Sequence, residues 1–260
     1  MSSNKIKFVW ENKIFTIKNP DPNETILNYV RLNLKKTGTK EGCAEGGCGA
    51  CTIVLGEIEN NKIIYKAINS CISFLPSLEG KQLILVEDLT EDNGSLHAVQ
   101  DAMIKHHGSQ CGFCTPGFVM SLFAMYKNFN SYNKEKIQDS ISGNLCRCTG
   151  YRPIIDAAKS LNSSNKIDKF YKNRKKTINL LKKINLENVA LTNGSKKYFS
   201  PKNIKELKKI INHNPNATFL SGGTDLSLYV TKERKEINNI ISLNSIKELK
   251  FIKEKNGNIQ

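Results

Sequence analysis

The eight cysteines are the residues of this sequence whose spacing predicts chemistry. They form two sets of four: Cys43, Cys48, Cys51 and Cys71, then Cys111, Cys114, Cys146 and Cys148. Thiolates are ligands for zinc and for iron–sulfur clusters, so each set predicts one metal site. An intracellular compartment keeps thiols reduced, and we therefore interpret both sets as metal ligands rather than disulfides.

The first set has the spacing C-x4-C-x2-C, with its fourth cysteine twenty positions later. This spacing is typical of a plant-type 2Fe–2S cluster. Glycines between and beside the first three cysteines allow tight turns and let backbone N–H groups point at sulfur. Structural zinc more often uses paired short knuckles than three ligands in one glycine-rich loop. The first set therefore favours iron–sulfur over zinc.

The second set, C-x2-C followed by C-x-C, leaves zinc, iron–sulfur and a redox dithiol open. The flanking sequence predicts four short helices. The first runs from a cap at Ser95 to residue 107, and the second opens at Thr115-Pro116 and continues to about residue 129. A third covers 134–141, and a fourth starts at 149–152. Each cysteine pair then lies beside a helix N-terminus, whose positive dipole favours thiolate and sulfide. This placement favours a cluster held between helix ends, with zinc as the alternative.

Three motifs contain seven of the eight cysteines: GCAEGGCGAC at 42–51, QCGFCTPGF at 110–118 and NLCRCTGYRPI at 144–154. Together they resemble the iron–sulfur part of the xanthine dehydrogenase family of molybdenum hydroxylases. The resemblance implies two 2Fe–2S clusters, with all eight cysteines as ligands. It also implies that Gln110 and Cys148 lie against the pterin of a molybdenum cofactor, which a large partner subunit holds.

A glycine-containing loop follows a predicted strand at 217–220. Its residues are Ser221, Gly222, Gly223, Thr224, Asp225 and Leu226. Alone, this loop is either a tight strand-to-helix turn or a cradle for a diphosphate, because glycine lets backbone N–H groups approach phosphate closely. Beside the cysteine motifs, it resembles the first nucleotide loop of the family's flavin domain and implies FAD. The chain stops at Gln260, so we expect only the opening part of that domain and incomplete flavin binding by this chain alone.

The predicted fold class is α+β, in four segments. Residues 1–90 form a β-grasp ferredoxin domain, with a hairpin of strands at 6–10 and 13–17 and a helix at 24–34. Residues 91–165 form a four-helix 2Fe–2S domain. Residues 166–190 are a polar linker without a clear period, and residues 191–260 begin an α/β FAD-binding lobe.

The formal net charge is +15, and residues 159–183 alone carry +8 of it. Only five of the basic residues are arginines, and the chain lacks the pattern of arginine forks with aromatic stacking that nucleic-acid binders favour. We interpret the excess as a solvated linker and a lysine-rich surface, and expect no nucleic-acid partner. No apolar run is long enough to span a bilayer, and the N-terminus does not read as a secretory signal. These features predict a cytoplasmic protein without a membrane partner.

The resemblance implies a redox function. The chain is expected to be the electron-transfer subunit of a xanthine dehydrogenase-type enzyme. It would pass electrons from a partner's molybdenum centre through two 2Fe–2S clusters toward FAD and NAD. No side chain of this chain is expected to be catalytic, and activity requires the molybdenum-containing partner. Two alternatives remain: a related hydroxylase acting on aldehydes, nicotinate, isoquinoline or carbon monoxide, and a non-enzymatic zinc-binding module.

Overall fold

A five-stranded mixed sheet forms the first domain of the computed structural model, which describes residues 4–163, 167–184, 188–255 and 257–259. Its strands are β1 (Lys5–Trp10), β2 (Lys13–Lys18), β3 (Thr52–Glu59), β4 (Lys62–Asn69) and β5 (Gln82–Ile84). Their order is β2-β1-β5-β3-β4, and every pair is antiparallel except β1 and β5. This is the predicted β-grasp arrangement.

The predicted hairpin is confirmed as β1 and β2, joined at Glu11 and Asn12, both with positive φ. Side chains alternate along β1 because successive residues of a strand point to opposite faces. Phe8 and its alternate neighbours pack on one face, whereas Val9 packs on the other. Both faces of this sheet are therefore covered.

The first helix is shorter than the predicted 24–34. One turn of α-helix, α1 (Ile26–Asn28), continues as a π-helix over Tyr29–Asn33. Thr25 caps it, accepting the Asn28 N–H with its side chain. A helix is therefore present within the predicted range, but the wider π turn has no signal in side-chain spacing.

Four helices form the second domain: α2 (Ala98–Lys105), α3 (Thr115–Asn128), α4 (Lys134–Ile141) and α5 (Arg152–Ser160). The predicted Ser95 cap is wrong. His97 caps α2, with its Nδ1 accepting the Val99 N–H, so the helix starts later. Ten consecutive residues of α3 are buried, and it packs against β3 and β4. Within the described ranges, no helix is long and apolar enough to cross a membrane.

The segment expected to be an irregular linker contains a four-turn helix, α6 (Lys169–Ile184). Residues 166 and 185–187 of that segment lie outside the described residues. One stripe of α6 is buried: Phe170, Thr177, Leu181 and Ile184. Its spacing of seven, four and three residues is helical, but lysines fill the intervening exposed positions and obscured the period. Leu181 packs against Val9, so α6 covers the second face of the sheet.

A buried polar cluster holds the start of α6 against the second domain. The Lys127 Nζ lies 2.7 and 2.8 Å from the two carboxylate oxygens of Asp168, and His97 Nε2 lies 3.1 Å from one of them. Because His97 Nδ1 accepts a backbone N–H, its Nε2 carries the proton and donates. Burial acts to raise the pKa of Asp168, but these donors outweigh it and lower that pKa.

The third domain has a four-stranded sheet of order β6-β7-β9-β8. Its strands are β6 (Val189–Asn193), β7 (Lys196–Ser200), β8 (Thr218–Leu220) and β9 (Asn239–Ser242), followed by the two-residue pair β10 (Glu254–Lys255) and β11 (Asn258–Ile259). Helices α7 (Ile204–His213) and α8 (Leu226–Thr231) connect β7, β8 and β9, which run parallel. The predicted partial α/β lobe is therefore confirmed.

Candidate functional site

Strand pairing brings the last two cysteines of the first set together. Cys51 directly precedes β3, and Cys71 lies in the 3₁₀ turn Ser70–Ile72 directly after β4. In the antiparallel register Thr52 pairs with Asn69, so the two ends meet. The Sγ atoms of Cys51 and Cys71 are 3.3 Å apart. The hydrogen bond from Cys71 lowers the pKa of Cys51 to about 7, which favours its thiolate.

A tight loop before β3 carries Cys43 and Cys48. Backbone N–H groups of Glu45 and Gly47 point at the Cys43 Sγ, at 3.4 and 3.2 Å. Gly46 has φ +78°, and a Cβ there would meet Ile72 at 2.4 Å. Glycine is therefore required where the loop turns beneath the Cys71 turn. Such N–H donors stabilise charge on sulfur, as predicted for this loop.

The second set lies between helix ends. Cys111 and Cys114 lie in the connection from α2 to α3, where Cys114 is the N-cap residue, and Cys146 and Cys148 lie between α4 and α5. The Sγ atoms of Cys111 and Cys148 are 3.5 Å apart, and both residues are exposed. The thiols of Cys114 and Cys146 are hydrogen-bonded.

Thr149 supports the Cys146 sulfur. Its backbone N–H donates to the Cys146 Sγ at 3.4 Å, and its Oγ1 lies 3.2 Å from the same atom. Burial acts to raise the pKa of Cys146, but hydrogen bonds from Thr149, the Cys148 backbone and the Cys114 thiol together outweigh it, and the pKa is lowered. Tyr151, with φ +68°, turns the chain into α5 and accepts the Cys146 N–H at its hydroxyl.

Both sets fit a dinuclear cluster because their thiols meet in pairs. Cys51 meets Cys71 and Cys43 meets Cys48, whereas in the second set Cys111 meets Cys148 and Cys114 meets Cys146. A 2Fe–2S cluster takes two thiolates at each iron. Among the described residues, no three His, Cys, Asp or Glu side chains converge on one ion position. Paired thiols with N–H donors at sulfur are the donor set a 2Fe–2S cluster requires.

One backbone hydrogen bond connects the two cysteine sets. The Leu145 N–H donates to the Cys48 carbonyl at 2.9 Å. A cysteine of the first set is therefore in direct contact with the neighbour of Cys146 in the second set. Glycines make this approach possible. A Cβ on Gly49 would lie 2.2 Å from the Gly143 carbonyl oxygen, and one on Gly117 would lie 2.2 Å from the Gly49 carbonyl oxygen.

Asn144 holds the contact between the two cysteine sets, and its role was not predicted from the sequence. Its side chain is buried, accepts the Ser121 hydroxyl at 2.6 Å and donates to the Gly49 carbonyl at 3.0 Å and to the Thr52 hydroxyl at 3.2 Å. We call Asn144, Gly49, Thr52 and Ser121 the junction. A polar residue two positions before Cys146 was the available signal, but its partners are 23 to 95 positions away.

The predicted pterin contacts lie on an exposed surface. Gln110 is exposed beside Cys111, and Cys148 is exposed on the same side through its contact with Cys111. Phe113 and Leu145 nearby are also about half exposed. Gln110 and Cys148 therefore lie on the same exposed side of the molecule.

The predicted nucleotide loop follows β8 and leads into α8. Gly222 and Gly223 have φ +73° and +99°, and the Gly222 N–H points at Asn244 Oδ1, which follows β9. The loop is thus at the carboxyl edge of parallel strands, where α/β sheets bind ligands. Ser221, Thr224 and Asp225 are exposed there and Leu226 is partly buried. A cleft of about 160 Å³ runs between Gly222 and Phe74 of the first domain.

Three family profiles match consecutive parts of the chain. A 2Fe-2S iron-sulfur cluster binding domain matches residues 8–75, and a second [2Fe-2S] binding domain matches residues 85–159. The FAD binding domain in molybdopterin dehydrogenase matches residues 191–260. The chain therefore carries two 2Fe–2S domains and residues of a FAD-binding domain.

Related proteins point to the same family. Xanthine dehydrogenase of Blastobotrys adeninivorans is 52% identical over 161 residues, which are 61% of this chain and 11% of that protein. Aldehyde oxidase 1 of Macaca fascicularis is 45% identical over 55% of this chain and 11% of that protein. The chain spans about a tenth of the length of these curated relatives.

A chain in the crystal structure of quinoline 2-oxidoreductase from Pseudomonas putida 86 is 33% identical, with a TM-score of 0.50. The match covers 60% of this chain and 90% of that one. Two cysteine sets with paired thiols, three consecutive domain matches and these relatives agree. The chain belongs to the xanthine dehydrogenase family of molybdenum hydroxylases.

Proposed function

We propose that this chain is the electron-transfer part of a xanthine dehydrogenase-type oxidoreductase. It takes electrons from a molybdenum centre in a large partner subunit and passes them toward FAD and NAD. The eight cysteines are the proposed ligands of two 2Fe–2S clusters, the first held by Cys43, Cys48, Cys51 and Cys71. When bound, each cluster supplies one-electron storage.

The observation that carries this proposal is the hydrogen bond from the Leu145 N–H to the Cys48 carbonyl. It connects the two cysteine sets through a few covalent bonds and one 2.9 Å contact. The junction holds that contact with a buried, fully hydrogen-bonded amide, so the separation of the sets is fixed by packed structure. A fixed short separation is what a relay requires.

The two ends of the proposed relay differ in exposure. Cys111 and Cys148 are exposed together with Gln110, which suits contact with the pterin of a partner subunit. Cys51 and Cys71 are buried and face the third domain, whose loop Ser221–Leu226 is the proposed FAD contact. The order of the relay is therefore second set, first set, flavin.

The remaining roles of this chain are structural. No side chain is proposed as a general base or nucleophile. Backbone N–H groups of the loops hold negative charge on sulfur, and burial of Cys51 and Cys71 excludes water from half of the first set. Because the cysteines must stay reduced to bind a cluster, we propose the cytoplasm as the site of action.

The test is reduction by substrate in the complex as purified from its source. We expect a molybdenum-containing large subunit to co-elute, and anaerobic xanthine to bleach the visible iron–sulfur absorption. Bleaching by an aldehyde or another heterocycle, but not by xanthine, would move the assignment to a related hydroxylase. Absence of molybdenum together with no bleaching by any of these substrates contradicts the proposal.

A further inference from the structure

Helix α8 of the third domain forms part of the wall around the first cysteine set. The Ser227 hydroxyl, which is 1% exposed, donates to the Ile72 carbonyl at 2.6 Å, one residue after Cys71. Leu228 packs against the buried group of Leu27, Cys51, Cys71 and Ile72. The third domain therefore contacts the turn that carries Cys71 directly.

The same helix brings a charged pair to the other side of the set. Lys232, the C-cap residue of α8, has its Nζ 2.8 Å from Glu45 Oε2. Glu45 lies between Cys43 and Cys48, and its N–H donates to the Cys43 Sγ. The pKa of Lys232 is raised, first by the hydrogen bond to Glu45 and further by the negative charge of Cys43 and Cys71. Because Glu45 contacts Lys232 with its side chain and the Cys43 sulfur with its backbone N–H, the ion pair lies beside the first cysteine set.

We propose that Lys232 and Glu45 compensate each other's charge beside the first cysteine set, so that neither charge alone shifts the reduction potential of the cluster held there, and that Ser227 fixes Lys232 in position. This inference rests on the proposed function. One-electron reduction takes the diferric cluster to a ferric–ferrous state and adds one negative charge. A cation nearby stabilises the reduced state and an anion destabilises it, because the added charge interacts with both.

Removing the Lys232 charge and removing the Glu45 charge are predicted to shift the reduction potential in opposite directions. Alone, the Lys232 charge raises the potential and the Glu45 charge lowers it, so in the native protein they largely offset each other. Removing the cation leaves Glu45 unbalanced beside the Cys43 loop. Removing the anion leaves Lys232 unbalanced. An ion pair that only stabilised the fold would not shift the reduction potential in opposite directions when one or the other partner is removed.

The experiment is a dithionite titration of the full chain, followed by low-temperature EPR. Loss of a signal in Cys51→Ser identifies the first cluster, and the second cluster is the internal reference. We expect Lys232→Gln to shift the first potential downward, Glu45→Gln to shift it upward, and the double variant to return toward the native value. Ser227→Ala should reduce the shift that Lys232→Gln causes.

A matched control lies in the same segment. Lys235 and Glu233 form a second pair at 2.8 Å with similar exposure, and Lys235 contacts the Tyr229 ring rather than the cysteine loop. Lys235→Gln should leave both potentials unchanged. If the potential of the first cluster is unchanged in both Lys232→Gln and Glu45→Gln while both EPR signals are present, this inference is wrong and the proposed function is unaffected. Absence of both signals from the native chain overturns the proposed function, and this inference with it.

Discussion

At the scale of single residues, backbone N–H groups and neighbouring thiols determine the chemistry of the cysteines. Cys51 and Cys71 pair because two antiparallel strands end beside each other, and Cys43 lies under N–H groups of its own loop. The spacing predicted which cysteines belong together. It did not predict which thiols meet, because that depends on strand register and loop turns between residues far apart in sequence.

Asp88 gives a pH-dependent prediction at this scale. Burial raises its pKa to about 6, although Leu85 N–H and Trp10 Nε1–H donate to its carboxylate. The unfolded pKa is about 3.9. The protonated form is therefore favoured by folding, and that stabilisation, present below pH ~4, is lost as the pH rises through about 6.

We therefore expect the free energy of unfolding of the native protein to fall, relative to Asp88→Asn, by about 1 kcal/mol between pH 5 and 7.5. Denaturant titrations at a series of pH values measure it. Asp92→Asn, at the exposed neighbour, is the control and should follow the native profile. Parallel profiles for the native protein and Asp88→Asn would contradict the assignment.

At the scale of elements, the junction holds the two cysteine sets at a fixed separation. Asn144→Ala leaves the Ser121 and Thr52 hydroxyls and the Gly49 carbonyl without their amide partner, at a cost of about 1–3 kcal/mol. We expect the magnetic interaction between the two reduced clusters to change while both signals remain. EPR of the fully reduced protein measures it.

The control for this variant is Asn128→Ala. Asn128 also joins the first sheet to the second domain, through both backbone groups of Tyr65, at 3.0 and 2.6 Å, but it lies at the far end of α3. It should destabilise the protein comparably and leave the magnetic interaction unchanged. Equal effects of both variants on that interaction would refute a special role for the junction.

Helix α6 gives the second prediction at this scale. Asp168→Ala leaves the buried Lys127 ammonium without its carboxylate, and we expect a loss of about 3–5 kcal/mol in the stability of α6 docking. Hydrogen exchange along α6 measures this loss. Asp156→Ala, which breaks an exposed pair with Lys159, should cost at most about 1 kcal/mol. Unchanged exchange along α6 in Asp168→Ala would contradict the role of the cluster.

Sequence patterns predicted the elements unevenly. The β1–β2 hairpin and the start of α3 followed from alternation and from Thr115-Pro116. Helix α6 did not, because its buried stripe is narrow and lysines occupy most of its exposed positions. The Asn144 contacts were also out of reach, since a buried amide is defined by partners that only the tertiary fold supplies.

At the scale of the whole molecule, the charge excess and the redox site are separate. The +8 of residues 159–183 lies largely on α6, whose buried face packs on the first domain, while its lysines face solvent. The first cysteine set instead lies where the three domains meet. The Cys48 carbonyl accepts the Leu145 N–H of the second domain, and Ile72, the residue after Cys71, accepts the Ser227 hydroxyl of the third. The first set is therefore central to the molecule.

The most direct test of the central claim is the metal content of the purified full chain. We predict about four irons and four acid-labile sulfides per chain, and two distinct EPR signals after reduction. Zinc in place of iron with no labile sulfide, or iron and sulfide sufficient for one cluster with a single signal, would contradict it.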